Sequence, residues 1–317
     1  KPDISIMLFL AYTIMISAVW AVILQNMTIY LSSIFFLYNI SVYLLFKIYF
    51  SNAIQYNYSI LPFIIMALIV QAVYVLFFET VRIRAIGTFT NPNQMSYFAL
   101  CFCSLGLMIS NFQKKIFMGI FILFLSWIVV LFGLSKAAMV AMAFQTIVFG
   151  LLLKRRRILF IFLFMLASST LYIYFESQIM SGLTRIDGIG EDSDDSLAGR
   201  GYDRIINEFE YVIFGAGDGV YRRHDSLWKG EIHSSFGTII FAYGIPGTIF
   251  FLIFLQNIWR KNRLGFILYI LPLLIYSLTH NALRYTPFWI CLAACSQFGS
   301  RHSGVRKLIL NPHSPSK

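Results

Sequence analysis

Ten apolar blocks, most about as long as a bilayer core is thick, leave this chain few ways to fold. They run over residues 5–24, 27–50, 60–79, 94–110, 116–133, 136–153, 157–175, 234–258, 264–279 and 284–299. A helix needs about 20 residues to cross a ~30 Å hydrocarbon core; the ninth block, which contains Pro272, is short of that. In lipid every backbone N–H and C=O needs a partner, so only helices and closed barrels can cross. A barrel would alternate in segments of about ten residues, and these blocks are continuous. Of the 317 residues 58% are hydrophobic and 12% charged, against about 25% charged in soluble domains. The expected fold is all-α: a polytopic membrane helix bundle of about ten spans with one long, partly helical outer loop. Residues 1–175 supply spans one to seven, 176–233 the loop, 234–300 spans eight to ten, and 301–317 a basic cytoplasmic tail.

A net charge of +11 would suit a nucleic-acid partner if it formed one patch. It does not. Assigning the links alternately to two sides puts fifteen Lys and Arg with a single acid, Asp3, on one side. The other ten share their side with all the remaining acids. This is the positive-inside asymmetry; the basic run at 154–157 and the turn at 259–263 mark cytoplasmic ends, and both termini fall inside. The charge orients the chain in a membrane, and no nucleic-acid partner is expected. The cysteines Cys101, Cys103, Cys291 and Cys295 lie within apolar spans and read as small packing residues. The first span lacks a cleavage-site pattern and reads as an anchor.

The chemistry-bearing residues fall in the outward links. Arg82, Arg84, Arg185, Arg200, Arg204, Arg222 and Arg223 gather on the side that normally excludes basic residues. Pairing with the loop's acids accounts for any one of them; the set together points to an anionic ligand. The planar guanidinium fork suits phosphate oxygens. Helices that follow outer links begin there, so their unpaired N–H groups and positive dipole ends face the same interface. Asn91 before Pro92 reads as an N-cap, and Ser234 or Ser235 as the cap of the eighth span. Every membrane helix has such an end, so the dipoles alone carry little weight.

Of the five histidines, His302 and His313 lie in the tail, His224 sits among Arg222, Arg223 and Asp225, and His233 and His280 mark outer helix ends. A lone interfacial His is ordinarily a solvated cap. Basic neighbours and a helix N-terminus set His233 apart, since both lower an imidazole's pKa. A neutral imidazole accepts a proton from a sugar hydroxyl. No His/Cys/Asp/Glu set has metal-ligand spacing, so neither a metal nor another cofactor is expected. Gly215-Ala-Gly217-Asp-Gly219 imitates half a dinucleotide fingerprint without a βαβ unit, and reads as a tight turn admitting close backbone approach. Asp192-Ser-Asp194 belongs to a solvated acidic run. Ser135 and Lys136, adjacent on a helix, do not face each other as a nucleophile pair would.

His233-Ser234, nine residues, Gly244, two residues, Gly247 resembles the signature of bacterial O-antigen ligases and the related Wzy-type O-antigen polymerases. Arg84-x-x-Gly87-x-Phe89-x-Asn91-Pro92-Asn93, Ser135-Lys136 opening a span, and an Arg-headed amphipathic segment before Gly215-x-Gly217 are similar to the same family, in family order. The resemblance covers roughly residues 80–300. It implies a metal-independent, inverting glycosyltransferase of the membrane-embedded C type, acting on undecaprenyl-diphosphate-linked oligosaccharide as donor and acceptor. By that match His233 is the base or orienting residue, and Arg200 with Arg84 holds the diphosphate, alongside Arg204 and Arg82. Lys136 stands where the family usually has Arg, keeping the charge without the bidentate fork. Asn91, Asn93, Arg222, His280 and Arg284 are candidates for the glycan. The resemblance further implies a bacterial inner membrane with the site on its periplasmic face, a chain-length regulator as partner, and helices ahead of Lys1.

The leading expectation is a polymerase that moves a growing lipid-linked polysaccharide onto the next repeat unit; a ligase would use the same donor with a lipid A-core acceptor. A transporter or flippase would need ionisable residues or broken helices near mid-bilayer, and the spans as read carry no mid-span charge.

Overall fold

The structure is a computed structural model that describes residues 3–56, 59–79, 84–153, 157–188, 196–224, 226 and 228–298. Among them the chain is helical throughout and forms no strand: α1 (Ile4–Ile23), α2 (Tyr30–Tyr56), α3 (Leu61–Phe78), α4 (Pro92–Phe112), α5 (Ile116–Gly133), α6 (Lys136–Leu152), α7 (Arg157–Asp187), the short α8 (Asp203–Asn207) and α9 (Glu210–Phe214), α10 (Ser235–Lys261), α11 (Arg263–Ser277) and α12 (Thr286–Phe298). Six segments are long and apolar enough to cross a membrane: α1, Met27–Ala53, α3, α4, α5 and α10. Lys136–Leu152, Arg157–Leu166 and Arg263–Ser277 are apolar but shorter. Among the described residues, six of the ten expected crossings meet both the length and the hydropathy of a span, and three more coincide with the shorter apolar helices. α7 carries a non-helical residue, Phe175, and then continues as helix to Asp187 through what the sequence suggests is loop.

α4 is the central element, buried over most of its length. Its small residues explain this: Ser96, Ala99, Cys101, Cys103, Ser104 and Gly106 let neighbouring helices approach closely. Ile122 of α5 fills the space where a Gly106 side chain would be. All four cysteines are buried and free. At the opposite end from the long loop, Asp3 binds Lys47 at 3.3 Å and Lys261 at 3.4 Å and accepts from Tyr43 Oη at 2.9 Å. The start of α1 and the ends of α2 and α10 thus lie on one side, as alternating topology requires.

Two helices are broken, each where a proline leaves a carbonyl without its i+4 donor. Pro272 produces a π turn at Phe266–Ile270 in α11. The carbonyl of Leu268, four residues earlier, accepts from Gln145 Nε2 of α6 at 3.2 Å, and the same amide donates to Ser104 Oγ of α4 at 2.8 Å. In α10, Pro246 strips the donor from Ala242, and Gly244 departs from helical geometry at φ +61°, ψ −169°. The loop supplies donors at this break: Ala216 N–H bonds Phe241 O at 2.8 Å and Gly217 N–H bonds Ala242 O at 2.9 Å. That docking places the candidate site.

Candidate active site

Three chain segments meet at the start of α10. His233 N–H donates to Arg200 O at 3.0 Å, Ser234 caps the helix by accepting from Gly237 N–H at 3.2 Å, and Ser235 N–H and Oγ donate to His280 O at 3.2 and 3.3 Å. Ser235 Oγ in turn accepts from Ala282 N–H at 2.8 Å. Arg200 Nη1 donates to Thr279 O at 2.8 Å, so its guanidinium is fixed beside the turn that holds His280. His233, Arg200 and His280 are each half-buried and reach a surface. The His233 ring meets the Trp228 ring at a centroid distance of 4.8 Å.

From this crossing the polar groups continue in an arc. The His280 ring stacks on Tyr276 at 4.6 Å, and Tyr276 Oη donates to Asn93 O at 3.0 Å. Arg84 Nη2 donates to Asn93 Oδ1 at 2.8 Å and its Nε to Gly133 O at 3.2 Å. Asn91 caps α4 through Asn93 N–H, at 2.7 Å. Glu79 holds the turn that carries Arg84, accepting from Ile86 and Gly87 N–H at 2.6 and 2.8 Å. Lys136 opens α6 three residues beyond Gly133 and donates to Gly188 O at 3.1 Å.

The rest of the loop is locked by two arginines, Arg204 buried and Arg223 half-buried. Arg204, 1% exposed, bonds Ser226 Oγ at 3.0 Å, Gly230 O at 2.7 Å and the Trp228 carbonyl. Arg223 donates to the Ala216 carbonyl and lies 4.7 Å over the Trp20 ring of α1. His224 is buried between Arg223, whose Nε donates to its Nε2 at 3.0 Å, and Glu208, whose carboxylate lies 2.6 Å from its Nδ1. Those partners select a neutral ring with the proton on Nδ1. Burial is the largest influence on it and pushes its pKa below the ordinary 6.5, over the opposing pull of Glu208.

Arg284 closes the assembly. Its Nη2 bonds Asp218 Oδ2 at 2.7 Å, Tyr221 Oη at 2.9 Å and Ser32 Oγ at 3.3 Å, while Nη1 lies 2.8 Å from Glu231 Oε2. One side chain thus ties α2, the glycine-rich turn and the two-residue lead into His233. Asp218 is 2% exposed. Burial pushes its carboxyl up, but the Arg284 charge with bonds from Tyr221, Arg284 and Ser32 outweighs that and leaves it below the usual range.

The predicted residues therefore divide by position. His233, Arg200, His280, Asn93 and Arg84 lie along one arc. Arg204 and Arg284 are engaged within the protein. Arg222 is exposed on the Tyr221–Arg223 turn, and Arg82 and the acidic run at 192–194 lie outside the described residues. Sequence reasoning missed Asp218, Glu231 and Tyr276. Asp218 was visible as the one acid inside the glycine-rich turn, but its partner is 66 residues away.

Residues 121–252 match the family model described as O-antigen ligase, an interval that takes in Lys136, Arg200, Arg204, Arg222 and His233. No curated protein and no solved structure matches the chain.

Proposed function

We propose that this multi-pass protein is a membrane glycosyltransferase that extends lipid-linked surface polysaccharide, a reading supported by the match of residues 121–252 to the O-antigen ligase family model and by the His233–Gly247 signature. Its donor is an undecaprenyl-diphosphate-linked glycan and its acceptor the next lipid-linked repeat unit. The observation that supports this most directly is the backbone crossing of Arg200 and His233 at 3.0 Å, with the Arg200 fork anchored on Thr279 O.

The chemistry follows from the leaving group. A diphosphate departs without a general acid, so the demand is to stabilise phosphate charge as it grows while a hydroxyl attacks C1 from the opposite face. Arg200 and Arg84, each held in one orientation by main-chain carbonyls, would carry the first task. His233, within about 2.6–3.2 Å of the acceptor hydroxyl once substrate is bound, would carry the second as base or orienting group. Lys136 would add a point charge. Arg204 organises the loop rather than gripping substrate. A ligase, with the same donor and a lipid A-core acceptor, is the alternative reading, and the match to the O-antigen ligase family model supports it equally.

The test is transfer in vitro with purified protein, lipid-linked repeat units and EDTA, offering a second lipid-linked unit or lipid A-core as acceptor. His233→Ala and Arg200→Ala should each lower transfer roughly 10²–10³-fold while inserting normally. Wild-type rates in both would overturn the site. Transfer to lipid A-core alone would replace the polymerase with the ligase, and loss of transfer in EDTA would reject metal independence.

A further inference from the structure

The segment 206–214 is drawn as an outer loop by its position between spans seven and eight, yet it turns large apolar side chains away from the protein. Ile206 is 75% exposed, Phe209 61%, Ile213 44% and Phe214 68%. The opposite side is protein-facing: Arg204 and Val212 are buried, and Glu208 and Tyr211 pack on His224. α8 and α9 have five residues each, too few to hold helical form in isolation.

Their depth comes from what holds them. Phe214 O accepts from Tyr12 Oη of α1 at 2.8 Å. Tyr12 lies eleven residues before the outer end of α1, about 16 Å along a helix rising 1.5 Å per residue, and α1 is itself about one hydrocarbon thickness long. On α10, a Cβ at Gly244 would meet Phe214 C at 2.6 Å and Gly215 N at 2.7 Å, so the two backbones touch. Gly244 is nine residues, about 14 Å, below the start of α10. Ile245 and Ile249 of α10, next to this contact, are themselves exposed on a membrane-spanning helix. The apolar face of α9 is therefore continuous with the lipid-facing sides of α10 and α1. Trp20, near the outer end of α1, donates to Gly215 O at 2.8 Å. Asn207 and Glu210 are exposed as well, and Glu210 precedes Ile213 and Phe214 by about a turn.

We propose that residues 206–214 are a re-entrant segment embedded in the leaflet nearest His233, with Ile206, Phe209, Ile213 and Phe214 against lipid acyl chains. Irregular backbone at that depth requires internal partners. Glu208, Tyr211 and Val212 N–H donate within the segment and its lead-in, to Arg204, Glu208 and Phe209 O at 2.9, 3.1 and 2.9 Å, Gly215 N–H donates to Tyr211 O at 2.7 Å, and Tyr12 Oη donates to Phe214 O. The inference rests on the membrane reading of the helices and not on the reaction.

The test is spin-label accessibility on full-length protein in phosphatidylcholine/phosphatidylglycerol vesicles. Phe209→Cys, Ile213→Cys and Phe214→Cys are labelled singly; the native cysteines are buried. Leu252→Cys on α10 serves as the lipid reference and Arg222→Cys as the aqueous one. The three labels should collide with oxygen as Leu252 does and lose collision with the water-soluble nickel chelate seen at Arg222, with Phe214 deepest. Nickel access matching Arg222 would overturn the proposal. Shielding from both reagents would also overturn it, by placing a second copy or another protein there. A label whose variant fails to insert is replaced by Ile206→Cys.

Discussion

Replacing Arg284 with Ala should open the long loop far more than it disturbs the bundle. Arg284 contacts Ser32, Asp218, Tyr221 and Glu231 at once, and its loss leaves a carboxylate that is 2% exposed with hydroxyl partners but no cation. Breaking a buried pair by removing one partner costs about 3–5 kcal/mol. The Arg284 side chain keeps 31% of its surface exposed, so water relieves part of that, and about 2–3 kcal/mol is the working figure. At 1.4 kcal/mol per tenfold, the open population of the loop rises roughly 30–150-fold. Limited proteolysis within 196–233, in the regime where cleavage follows that population, should accelerate by the same factor. Asp218→Asn keeps the shape and should cost only about 1–2 kcal/mol. The double variant should then fall short of additivity by about 1.5 kcal/mol or more, as close charge pairs do. Coupling below about 0.5 kcal/mol, or an unchanged cleavage rate in Arg284→Ala, would refute the reasoning. The sign with pH is also set. The Asp218 pKa lies below 3.8, so the contribution of the pair is full above 3.8 and is lost as pH falls through the lower folded value.

Three further outcomes follow. His224 is neutral when folded, with its pKa below 6.5 and Glu208, Arg223 and Arg204 around it; loop stability should therefore fall as pH drops below 6.5, and His224→Gln should flatten that dependence in a thermal-shift series. Gly244→Ala puts a Cβ 2.6 Å from Phe214 C at φ +61°, which should cost about 2–4 kcal/mol and appear as a lowered Tm with loss of loop protection. Arg204→Lys cannot span Ser226, Trp228 and Gly230 at once; a loss of about 2 kcal/mol should show as faster hydrogen exchange at 226–230, with Lys136→Arg as an unaffected comparison.

The helices were legible because lipid imposes one rule on every residue: apolar side chains in unbroken runs and backbone groups satisfied within the run. The blocks read at 116–133 and 136–153 fall within a residue of α5 and α6. Asn91 and Ser234 were recognisable as caps because a cap acts on the next three residues. The continuation of α7 beyond Phe175 was not, since its residues to Asp187 are too polar to read as a span. Nor were the three internal acceptors of Arg204, which lie 22 to 26 residues away in sequence.

What the sequence determined alone was the class of fold, the side on which the arginines gather, and the His233-to-Gly247 signature. Only the tertiary structure decided why that signature has its spacing. Gly244 and Pro246 open α10 three turns below His233, and the backbone of 214–217 fills the opening and donates hydrogen bonds to carbonyls there. A broken helix in a membrane is tolerated where another part of the chain satisfies it, and that partner, some thirty residues away in sequence, is visible only once the chain is folded.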